Sequence, residues 1–136
     1  MKIEFLDDIS QGGKYTQIVS DHLIRFYDFD FTQAIKFKEL IEENIIGQHK
    51  SLDIFLQPFI KNVNCNLIFR LSEKDYGAKT TDKENFVCDL TLDSYKHMVY
   101  LLEPFCQSED AGGYQWLYDP YTDDQIDLLF SSGGTW

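Results

Sequence analysis

The sequence predicts an α+β fold: a mainly antiparallel sheet of about six strands, with two helices packed on one face. Three observations lead there. Two stretches carry apolar residues at helical spacing, each behind a capping residue. Several short runs alternate apolar and polar residues between turn residues. The order strand, strand, helix recurs loosely twice and is followed by a closing pair of strands. The chain has 136 residues, 43% of them hydrophobic, which suffices for one domain over residues 1–136 with its own core.

Lys2 to Leu6 is a short strand candidate, and Ser10-Gln11-Gly12-Gly13 reads as a turn. Tyr15 to Phe29 reads as strand, with Leu23, Arg25 and Tyr27 on one face and Ile24 and Phe26 on the other. Asp30-Phe31-Thr32-Gln33 has the form of a capping box. Ala34, Phe37, Ile41 and Ile45 then make the buried stripe of the first helix, and Gly47 suits its end. Ser51 to Pro58 reads as a short strand or an irregular crossing, because Pro58 bars a central strand. Asn62-Val63-Asn64 reads as a turn. Asn66 to Leu71 is a strand, Ser72 to Asn85 a charged, mobile hairpin loop holding Tyr76-Gly77, and Phe86 to Thr91 the returning strand. Thr91 caps the second helix, whose stripe is Tyr95, Met98, Val99 and Leu102, and Pro104 ends it. A terminal hairpin follows, with strands near Tyr114–Tyr118 and Gln125–Phe130.

The net charge of −11 is unevenly placed, since no Lys or Arg follows Lys96 while seven acids do. Such a one-sign block repels nucleic acid and anionic membrane surfaces and attracts a cationic partner. The N-terminus has acids within its apolar stretch, and no run approaches the ~20 apolar residues of a membrane span, so the chain is expected in the cytoplasm. Cys65, Cys88 and Cys106 are odd in number and far apart, which fits reduced thiols better than a disulfide framework or a zinc knuckle.

No catalytic signature emerges. His22, His49 and His97 lack partners at metal-ligand spacing, and no cofactor motif is complete. Gln11-Gly12-Gly13-Lys14 lacks the phosphate-loop spacing. Asp119, Asp123, Asp124 and Asp127 share charge with a calcium loop but not its alternation or central glycine. Cys106, near a helix end, is the more reactive candidate thiol. Trp116 alternates with Tyr114 and Tyr118. That aromatic face is expected in the core and becomes a binding surface if it is not buried. Trp136 is expected to tuck against the sheet.

The pattern Tyr114-x-Trp116-Leu117-Tyr118-Asp119, with Ile126 to Ser131 and Gly133-Gly134-x-Trp136, resembles the tail of small acidic immunity-type proteins encoded beside bacterial polymorphic toxins. Asn66-Leu67, Phe86-x-Cys88-x-Leu90-Thr91 and Leu102-x-Pro104-Phe105 extend the resemblance to about half the chain. It implies a non-catalytic protein that binds and blocks a cognate toxin. Charge adds that a cationic, nuclease-type toxin would suit carboxylates placed where phosphates sit. The expected partner-binding residues are Asp119, Tyr121, Asp123, Asp124 and Asp127, with Tyr76 second. An assembly or interaction module is the first alternative, and a small hydrolase the second.

Overall fold

In the computed structural model, which describes residues 1–7, 22–107, 113–120 and 125–134, the strands form two mixed sheets rather than one antiparallel sheet. The α+β class holds. Lys2–Asp7 (β1), His22–Tyr27 (β2), Lys61–Asn62 (β4), Tyr114–Trp116 (β8) and Asp127–Ser131 (β9) make the first sheet, in the order β4-β1-β2-β9-β8. Leu52–Asp53 (β3), Asn66–Leu71 (β5), Gly77–Thr80 (β6) and Asn85–Leu90 (β7) make the second, in the order β3-β5-β7-β6. The helices are Phe31–Leu40 (α1) and Leu92–Leu102 (α2).

Parallel pairing is what separates the two sheets from the expected, mainly antiparallel one. β9 inserts beside β2 and runs parallel to it, Leu23 facing Asp127 and Phe26 facing Phe130. From Leu128 to Ser131 the strand is buried on both faces. A strand without a solvent face has no alternation to read. Ile24, Phe26, Leu128 and Phe130 enter the main core, while Leu23 and Leu129 pack on the opposite face with Leu6 and Trp116. The β2 alternation is therefore as expected, although the strand is confined to His22–Tyr27. The proposed extension at 15–21, the Ser10–Gly13 turn and Trp136 lie outside the described residues.

The second sheet brings two corrections. β7 runs parallel to β5, Leu67 facing Phe86 and Phe69 facing Cys88, so it does not return as a hairpin. Within the supposed mobile loop, β6 pairs antiparallel with β7, Ala78 facing Cys88. The turn between β6 and β7 is fixed by Asp82, whose carboxylate accepts the backbone N–H of Glu84 and of Asn85 at 2.9 and 2.8 Å. Those hydrogen bonds hold it far below the usual carboxylate range.

Both helix starts are as the sequence predicts. Asp30 accepts the Gln33 N–H at 2.9 Å, and Gln33 accepts the Asp30 N–H at 3.2 Å. Thr91 accepts the Ser94 N–H at 3.2 Å. After Leu40 the chain continues as a π-helical stretch, Ile41–Gly47, which keeps Ile41 and Ile45 buried. Pro104 opens a 3-10 turn, Glu103–Cys106. Phe37 of α1 lies 5.0 Å from Phe26, 5.5 Å from Phe130 and 6.2 Å from Phe69, so this helix contacts both sheets at once.

Asn62-Val63-Asn64 is an edge attachment and not a free turn. The Val63 N–H donates to Ile3 O at 2.9 Å. The Asn64 carboxamide accepts the Phe5 N–H at 2.7 Å and donates to Phe5 O at 2.8 Å, imitating one more residue of strand. Across the outer face of the first sheet, Arg25 donates to Glu4 at 2.6 and 2.9 Å and to Gly134 O at 3.1 Å, with its guanidinium 4.2 Å from the Tyr27 ring centroid.

Candidate functional site

One concavity among the described residues lies between α2 and β8. It is an open groove of about 240 Å³. Asp75, Ser94, His97, Leu101, Trp116 and Asp119 give it its chemistry, and no Lys or Arg lines it among the described residues. Small-molecule sites usually occupy ~300–1,000 Å³ and enclose most of their ligand. The groove lies a little below that range and is open to solvent.

Each wall is set by a local cause. Asp75 Oδ1 accepts the Thr91 N–H at 2.8 Å, so the residue that caps α2 also anchors the segment leading into β6. Partial burial raises the Asp75 carboxyl. The Thr91 N–H and the Ser94 and Thr91 hydroxyls outweigh that and hold it below its ordinary value of 3.8. His97 is exposed on α2 and stacks with Tyr100, centroids 6.1 Å apart. Trp116 is half-buried, packed on Leu23 and Leu129 on the sheet face away from the main core and edge-on to Tyr114 at 6.1 Å. Asp119 is exposed.

A buried polar junction fixes the groove's lower rim. The Tyr118 hydroxyl accepts the Ala78 N–H at 3.0 Å and donates to Ile126 O at 2.5 Å. Gln125 Nε2 donates to Tyr76 O at 2.5 Å. These contacts tie β6 to the start of β9, where Ile126 N–H also donates to Ala78 O at 3.0 Å. They bring the Tyr76 segment beside the Tyr118–Asp119 segment, two regions the sequence singled out separately.

Asp75 lends itself to a pH test. A carboxyl whose folded pKa is depressed stabilises the fold fully above pH 3.8, and that share is lost as pH falls through the lower folded value. Asp75→Asn is therefore expected to lower Tm at pH 5 while flattening its decline below pH 3.8. A decline parallel to the wild type would remove Asp75 from the acid response.

Of the expected partner-binding residues, Asp119 lines the groove and Tyr76, 50% exposed, adjoins it. Asp127 is half-buried in β9 opposite Leu23. Tyr121, Asp123 and Asp124 lie outside the described residues. The aromatic face of β8 is not uniformly core: Tyr114 is 48% exposed, whereas Leu117 on the other face is fully buried. Asp75, Ser94 and Leu101 were not legible as site residues, because their convergence rests on the contact of the Asp75 segment with α2.

Other candidate groups are occupied by structural tasks. Asp7 accepts from Lys83 at 2.9 Å and pairs with His22 at 2.7 Å, and the Lys83 contact foremost holds its carboxyl down. Burial pushes the Cys65 thiol up to about 12 and raises the half-buried Cys106, whose Sγ–H donates to Leu102 O at 3.4 Å. Such thiols carry little thiolate at neutral pH. Among the described residues, no group of three or more His, Cys, Asp or Glu could hold a metal ion, and no helix is long and apolar enough to cross a membrane. Comparison with family models, curated proteins and solved structures finds no match.

Proposed function

We propose that the protein is a non-catalytic inhibitor of the immunity type, which binds a cognate cationic toxin in the cytoplasm of the producing cell. The observation that carries this is the α2–β8 groove, which is lined by Asp75, Asp119 and the half-buried Trp116, with no Lys or Arg among the described lining residues. Acids at the rim speed encounter with a cationic partner, and aromatic contacts then hold the complex. The segment with Asp123 and Asp124 follows directly in sequence after Asp119 and adds charge of the same sign.

Affinity capture from the host at low and high salt, followed by addition of this protein to the captured partner's activity assay, tests the reading. One basic partner, retained in part at high salt and inhibited at equimolar ratio, is expected. A partner that stays active when saturated would rule out inhibition. Reversing Asp123 and Asp124 to Lys is expected to weaken capture about tenfold or more at low salt, with Tm nearly unchanged. Unaltered capture would remove both residues from the interface.

A second reading, an assembly module, rests on a different place. Phe55, Leu56 and Val63 are 55%, 68% and 42% exposed beside the short edge strands β3 and β4. Edges with apolar neighbours favour strand-to-strand association. Light scattering of Leu56→Asp against the wild type separates the two: a wild-type oligomer dissolved by the substitution would support assembly.

A further inference from the structure

We draw no further inference here: the strongest candidate, the exposed apolar patch of Phe55, Leu56 and Val63 beside the edge strands β3 and β4, carries nothing further, because nothing in the structure shows what covers it.

Discussion

Phe130→Ala is expected to lower the unfolding free energy by about 3–5 kcal/mol, the range for emptying a buried phenylalanine site. Phe130 is fully buried in β9. Its ring lies 4.2 Å from Phe29, 5.0 Å from Phe105, 5.5 Å from Phe37 and 6.2 Å from Phe26. These partners belong to β2, α1, the segments that flank them and the turn after α2. A cavity at this point cannot close by a small shift of one element, because each neighbour is held by a different part of the fold. Domains have about 5–15 kcal/mol of stability in total, so the loss alone could leave the chain half unfolded at room temperature. Urea denaturation followed by tryptophan fluorescence reads it directly. Phe55→Ala is the reference, since Phe55 is 55% exposed and its loss should fall within about 0.5 kcal/mol. A cost for Phe130→Ala near that reference would show that the aromatic cluster is not where the core's stability resides.

The second large effect is expected at Gly77. Gly77 has φ +79°, and a Cβ there would sit 2.9 Å from the Tyr118 hydroxyl and 3.0 Å from the Gln125 carboxamide. Gly77→Ala therefore adds backbone strain of roughly 1–2 kcal/mol and also forces apart the junction between β6 and the start of β9. Displacing the Tyr118 hydroxyl leaves the Ala78 N–H and Ile126 O without their partner, at about 1–3 kcal/mol more. The sum, about 2–5 kcal/mol, rests on both contributions. Gly113→Ala separates them, because Gly113 has φ +101° but nothing within 4 Å of its Cβ position. Equal losses at the two glycines would mean that the junction contributes nothing beyond backbone strain.

Legibility in the sequence followed the range of the interaction. Asp30 and Gln33 meet within one turn, as do Thr91 and Ser94, so both helix starts could be read from neighbours in the chain. The Asn66–Leu71 strand was legible because its inner face alternates with partly exposed residues. β6 was not. Gly77 and Ala78 have almost no side chain to advertise burial, and what buries them is Tyr118, Gln125 and Ile126, some forty to fifty residues on. Direction was hidden for the same reason: nothing local tells β7 to lie parallel to β5, or β9 to β2. Within the groove, Asp119 could be picked out by charge and its aromatic surroundings. Asp75 could not, because its carboxylate is positioned by a hydrogen bond to Thr91, across β6 and β7.

The pairing of β2 with β9 also sets an order of events as the chain folds. Leu23 and Asp127 are partners across almost the whole described chain, so their contact closes a loop of the most costly kind. The second sheet carries no such burden, since β5, β6 and β7 fall within Asn66–Leu90 and α2 follows at once. That half can assemble while the edge of β2 that β9 will occupy, with Ile24 and Phe26 beside it, still stands open. Until β9 arrives, that edge is a template for any other strand, so refolding yield should fall as protein concentration rises even though the finished fold covers it.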